Sequence, residues 1–145
     1  MLWNAHCEAL SSKLNRGTYV LRNLSGNLSI EYLKTAYFAL IQSHIQYGLL
    51  LWGHCASRHR VFKLQKRAIR VICGLGYRED CRQSFINKQI LTFPSLYIYE
   101  CLKYTKLNCR KFKEQESYHC HHTRKKNNIR GNFLRINRTR TGYNY

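Results

Sequence analysis

Four cations, Arg60, Lys63, Arg67 and Arg70, recur at three- and four-residue steps through RVFKLQKRAIRV, and Val61, Leu64, Ala68 and Val71 repeat those steps one residue later. At the helical period this sets an apolar stripe beside a cationic one on a single helix. A cationic helix face is either a solvated surface or a contact for phosphates. The balance of the chain decides between them: 25 Lys and Arg stand against 7 Asp and Glu, a formal charge of +18 on 145 residues. Solubility asks for far less, so the expected partner is a polyanion, RNA or DNA. Arg60, Lys63, Arg67 and Arg70 are the expected phosphate contacts, with Lys66 beside them and Arg124, Lys125, Lys126 and Arg130 in support. Phosphate contacts need charge and no base readout, so binding is expected to be weakly sequence-specific and strongly salt-dependent.

Other chemistries fit the residues less well. Two-metal phosphoryl transfer needs clustered carboxylates, and the one aspartate is Asp80, with Glu8, Glu31, Glu79, Glu100, Glu114 and Glu116 scattered along the chain. No polymerase or nuclease activity, and no catalytic residue, is expected. His119, Cys120, His121 and His122, with Cys101 and Cys109 upstream, form the best metal-ligand cluster. They lack the two ligand pairs at two-to-four-residue spacing that a structural zinc site uses, so neither metal nor cofactor is expected. A Cys/His nucleophile pair would lack a third group to orient it. Gly74-Leu75-Gly76 looks like part of a phosphate loop, but it follows a helical pattern and has no Lys-Ser/Thr end, so it reads as a helix stop. Trp52, Tyr37 and Tyr47 share faces with Leu and Ile and are expected in the core, whereas Tyr143 and Tyr145 are better placed to stack on bases.

The elements that must position these residues are helices. Ala5, Leu10, Leu14, Leu21 and Leu24 fall near one face from Asn4 to Leu24, a pattern weakened in its middle by Gly17. After the turn Ser25-Gly26-Asn27, Ser29 is expected to cap a second helix, with Glu31 in its first turn and Ile30, Leu33, Tyr37, Leu40, Ile41, His44 and Ile45 on its core face. Gly53 marks a break before the basic helix, which Ser57 is expected to cap and Gly74 and Gly76 to end in left-handed conformations. Asp80 is expected to cap a short helix through Lys88. Pro94 opens a fifth pattern through Leu96, Tyr97, Tyr99, Cys101, Leu102 and Tyr104. No strand alternation is visible. The expected fold is all-α, a small bundle of about five helices over residues 1–109 followed by a basic, partly irregular tail over 110–145, where ten of thirty-six residues are Lys or Arg.

Seven cysteines are compatible with a disulfide scaffold, but the opening MLWNAHCEALSSKLN has no basic n-region or apolar h-region. Reduced thiols and an intracellular setting, nucleus or cytoplasm, are expected. Ala36 to Trp52 is the most apolar stretch; Gln42, Ser43, His44 and Gln46 interrupt it, and it is shorter than the ~20 residues a membrane span needs, so no membrane is expected.

The segments also resemble a known family. LWNAHCEALSSKLNRGTYVLRNL resembles the Trp-x2-His-x3-Leu-x2-Lys-Leu pattern behind the catalytic palm of non-LTR retrotransposon reverse transcriptases of the jockey-like class, with Trp3, His6, Leu10, Lys13 and Leu14 at the matching positions. YFALIQSHIQYGLLLWG and VFKLQKRAIRVICG are similar to later signatures of those proteins, and ILTFPSLYIYECL and the HHTR stretch continue in the same order. The resemblance covers almost the whole chain. It implies a C-terminal piece of an RNA-directed DNA polymerase, the thumb and the segment behind it. The aromatic-x-Asp-Asp strand would lie upstream and an Asn-x-Leu-Pro stretch downstream, so a partial product without polymerase activity is expected. Its implied partner is a template–primer duplex. The alternative is a structural remnant that packs on a missing palm domain and has no activity of its own.

Overall fold

The computed structural model describes residues 3–109. The chain divides after Glu100 into two units, and the second is described only over 101–109, the last turns of the sixth helix. The described residues hold helices and no strand, as the periodicities require. In chain order they are α1 (Asn4–Leu24), α2 (residues 30–46), α3 (Leu49–Trp52), α4 (Arg58–Cys73), α5 (Arg82–Asn87) and α6 (Phe93–Leu107). No described helix is long and apolar enough to cross a membrane.

Helix α1 lies along α4, and α2 packs on both. The buried face of α1 is Cys7, Leu10, Leu14, Gly17, Thr18 and Leu21, while Ala5 is exposed and Leu24 half-buried. Full burial of a side chain such as Leu14 or Leu21 contributes roughly 1.5–3 kcal/mol. Gly17 is not a weak point in this helix. A Cβ there would come within 2.9 Å of Ile41 Cδ1 and 3.0 Å of the Leu40 carbonyl oxygen, so its missing side chain is what lets α2 approach. Thr18 is buried because its hydroxyl donates to the Leu14 carbonyl at 2.8 Å.

Helix α2 carries a feature the periodicity reading did not foresee. Ile30–Tyr37 and Ser43–Gln46 are α-helical, but Phe38–Gln42 between them is one π turn. Leu33, Tyr37, Ile41 and Ile45 are all buried at strict four-residue steps. Over three such steps an ideal α-helix drifts by about 120°, and the extra residue of a π turn takes back about 100° of it. The π turn therefore keeps one stripe on the core.

Ser29 stands at the expected N-cap in extended backbone, with no side-chain capping bond. Ser57 likewise stands at the N-cap of α4 without a side-chain capping bond; its hydroxyl donates instead to Asn4 Oδ1 at 2.9 Å. Gly48, at φ 62°, starts the single turn α3, a sixth helix that the apolar run Leu49–Trp52 did not announce. Gly53 packs against the Tyr97 ring and the Leu49 carbonyl. Gly74 ends α4 at φ 64°, as expected of a left-handed stop, whereas Gly76 instead donates its N–H to Glu79 Oε2 at 2.7 Å. Asp80 Oδ1 accepts from Arg82 N at 3.1 Å at the start of α5. Pro94 takes the second position of α6, where it lacks no needed donor.

Candidate nucleic-acid interface

The stripe that α4 buries is Val61, Gln65, Ala68, Ile69 and Ile72, with Leu64 and Val71 half-buried beside it. The apolar stripe expected from the sequence is thus turned by roughly 65° about the helix axis. At ~100° per residue, the buried set centres on the side of the helix opposite Lys63, and Arg60, Lys63, Lys66, Arg67 and Arg70 fall within one arc of about 120° on that outer side. The face has a physical cause: α1 and α2 take the apolar side of α4, and the cations occupy what is left.

The five side chains are not equivalent. Arg60, Lys63 and Arg67 are exposed. Arg70 is half-buried, and its Nε donates to the Glu79 carbonyl at 2.8 Å, which holds the loop after α4. Lys66 is half-buried with Nζ 4.3 Å from the centre of the Phe62 ring, a cation–π contact. From Arg60 to Arg70 the helix rises roughly 15 Å, about the axial length of four base pairs of a duplex. Arg60 and Lys63 also line a shallow groove against α1 with Glu8, Ser11, Ser12, Asn15 and Leu64. Arg124, Lys125, Lys126 and Arg130 lie outside the described residues, as do His119, Cys120, His121, His122, Tyr143 and Tyr145. Among the described residues no three His, Cys, Asp or Glu side chains gather as metal ligands.

The aromatic residues separate. Trp52 and Tyr37 are in the core, as expected. Tyr47 is not: its ring is 77% exposed, a correction to the core reading. The helix ends at Gln46, and the backbone at Tyr47, ψ 113°, leaves the helical path just before left-handed Gly48. The signal was present in the sequence, because a Tyr-Gly pair at a helix end places the tyrosine outside the helical register. Its carbonyl accepts from Trp52 Nε1 at 2.9 Å, so the turn that exposes the ring is itself anchored. Tyr47 borders a cleft of about 270 Å³ with His6, Lys13, Ser43 and His44, over Ala9 and Leu10. His6 Nε2 is buried there without a protein partner. The imidazole lies edge-on to Trp3, centroids 5.9 Å apart, and 5.3 Å from Trp52, which in turn lies 5.6 Å from Phe93. Trp3 and His6 thus join the opening of α1 to the core under α3 and α6.

Two buried polar groups anchor α4 from beneath. Gln65 is fully buried; its Nε2 donates to the Tyr37 hydroxyl and to the Leu91 carbonyl, each at 2.9 Å, and its Oε1 accepts from Phe93 N at 2.7 Å. Burial pushes the Tyr37 phenol up to about 12, with the Gln65 bond pulling the other way. Sequence reasoning passed over Gln65 because glutamine is mostly a surface residue. The arrangement is a fixed cationic arc on a helix held at both flanks. Such an arc is spaced and charged as a row of phosphates would require. Comparison with protein-family models, with curated proteins and with solved structures finds no match to this chain.

Proposed function

We propose that this chain is a non-catalytic helical module that holds RNA or DNA by the phosphate backbone without strong sequence specificity, as the region behind the palm of a non-LTR retrotransposon reverse transcriptase would. The observation that carries the reading is the outward arc of Arg60, Lys63, Lys66, Arg67 and Arg70, opposite a buried stripe. The charge of +18 supports it, because a surface of this sign repels its own kind and attracts a polyanion over nanometre distances. The ordered likeness to reverse-transcriptase segments supports the ancestry and the choice of a template–primer duplex as ligand. An intracellular site of action follows from that ligand.

The test is fluorescence anisotropy with a labelled RNA–DNA duplex and a labelled single strand over a series of salt concentrations. Replacing Arg60, Lys63 and Arg67 with Ala should weaken duplex binding and reduce the slope of log K against log salt by about one per cation lost. These side chains are exposed, so the melting temperature should stay put. Unchanged affinity and slope would remove the proposal.

A second reading, a structural element that packs on a polymerase domain, is favoured by the exposed apolar side chains Leu51, Ile86 and Ile98. It predicts concentration-dependent self-association with no duplex affinity. Sedimentation beside the anisotropy titration separates the two.

A further inference from the structure

We infer that Cys7 and Cys55 form an oxidation site, at which a peroxide closes an intramolecular disulfide between the first turn of α1 and the turn leading into α4. The two sulfur atoms lie 3.4 Å apart and share a hydrogen, although the residues are 48 positions apart in the chain. Neither segment is loosely placed. Cys55 donates its N–H to the Trp52 carbonyl at 2.9 Å, and its own carbonyl accepts from Arg58 N at 3.2 Å. Alongside, the Ser57 hydroxyl bonds Asn4 Oδ1 at 2.9 Å, so the same two segments are joined on a second line. A disulfide needs its sulfurs at about 2.0 Å. Closing the bridge brings the sulfurs about 1.4 Å nearer than their present 3.4 Å.

The roles divide by exposure. Cys7 is 1% exposed, and burial, followed by the hydrogen bond and charge of Cys55, pushes its thiol up to about 12 against a pull from Arg60. It is a poor first target for an oxidant. Cys55 is half-buried, the more accessible residue of the two. The Cys55 thiolate attacks one oxygen of hydrogen peroxide, the O–O bond breaks, and the departing hydroxide leaves as water with the proton shed by the thiol, giving a sulfenic acid. The Cys7 sulfur then attacks the Cys55 sulfur; an S–S bond forms, the S–O bond breaks, and the Cys7 proton leaves with the hydroxyl as a second water. One peroxide is reduced to two waters as two thiols are oxidised to one disulfide. Contact between the sulfurs makes the second step intramolecular, which offsets the low thiolate content of Cys7. The bridge closes a long loop and restricts the unfolded chain. This inference does not rest on the nucleic-acid reading.

The experiment treats the reduced full-length chain with hydrogen peroxide under native conditions, alkylates the remaining thiols after unfolding, and maps the peptides by mass spectrometry. The expected product is a Cys7–Cys55 linked peptide that disappears on reduction, with a melting temperature higher by on the order of 10 °C. Cys55→Ser should lose both signatures while keeping the melting temperature of the reduced protein. Mapping on the unsubstituted chain makes the result independent of any variant's folding. Recovery of Cys7 as a free thiol beside a sulfinic acid at Cys55, or of either residue bridged to another cysteine, would overturn the assignment.

Discussion

Gln65 on α4 and Tyr37 on α2 meet in the core with Gln65 Nε2 donating to the Tyr37 hydroxyl at 2.9 Å, and neither side chain is exposed to solvent. The same glutamine satisfies the carbonyl of Leu91 and the amide of Phe93, so one amide group fixes α2, the loop before α6 and the first residue of α6 to the helix that bears the cations. An amide satisfied at every position is stable in a low-dielectric interior, and removal of one partner strands the others.

Gln65→Ala should therefore cost more than a surface glutamine change. It strands a phenol, a carbonyl and an amide, each at roughly 1–3 kcal/mol, and leaves a cavity. A loss of about 3 kcal/mol or more in urea unfolding is expected. A loss under about 1 kcal/mol would mean that the three contacts do not hold the helices together.

Alkaline pH tests the other half of the pair. The Tyr37 phenol is raised from 10.0 to about 12, mainly by burial. Below pH 10 both states hold the proton and stability is complete; above it the unfolded chain releases the proton first, and stability falls until the folded group titrates too. By pH 11 the loss is about 1.4 kcal/mol. Tyr37→Phe should be less stable than the wild type by about 1 kcal/mol at pH 7, and that gap should close by pH 11. Titrating lysines act on both proteins alike. A gap that holds constant from pH 7 to pH 11 would contradict the buried, protonated phenol.

This pair also shows how far the sequence could be read. Asn4–Leu24 and the cationic helix were legible because apolar and charged residues repeat at the helical period. Residue type hides Gln65: a polar side chain interrupts the apolar stripe, so the apolar spacing runs through half-buried Leu64 and Val71 and leaves out Ile69 and Ile72. Lys63 lies on the outer face under either tracing, but the anchoring of Arg70 by Glu79 and of Lys66 by Phe62 depends on folded neighbours that spacing alone does not place. Spacing alone puts Tyr47 in the core, although the glycine after it marks the end of that spacing.

Backbone geometry gives a contrast between two single changes. Gly17→Ala gains up to about 1 kcal/mol of helix propensity, but its Cβ meets Ile41 Cδ1 at 2.9 Å and the Leu40 carbonyl at 3.0 Å, and backbone cannot give way cheaply. A net loss of about 1 kcal/mol is expected. Gln89, at φ 55°, sits just past α5 in the left-handed region, with Gln89 N bonded to the Ile86 carbonyl and Ile90 N to the Phe85 carbonyl. That is the position glycine favours, so Gln89→Gly should gain roughly 0.5–1 kcal/mol. Thermal melts that show the reverse signs would refute both assignments.

The π turn of α2 makes the least intuitive prediction. Deleting one residue from a regular helix turns everything beyond it by about 100° and pulls the apolar stripe off the core. Deleting exposed Arg16 from α1 should do this to Gly17, Thr18 and Leu21 and abolish cooperative unfolding. Ala39 is exposed too, but it lies inside Phe38–Gln42, where the helix already carries one residue too many for an α turn. Without it the buried positions that follow Leu33 and Tyr37 fall at steps of four, three and four, which a plain α-helix keeps on one side. The Ala39 deletion should therefore fold, with a urea midpoint close to that of the parent chain, while the Arg16 deletion should not. If both deletions unfold the protein, the widened turn is not what keeps Ile41 and Ile45 in register with Leu33 and Tyr37.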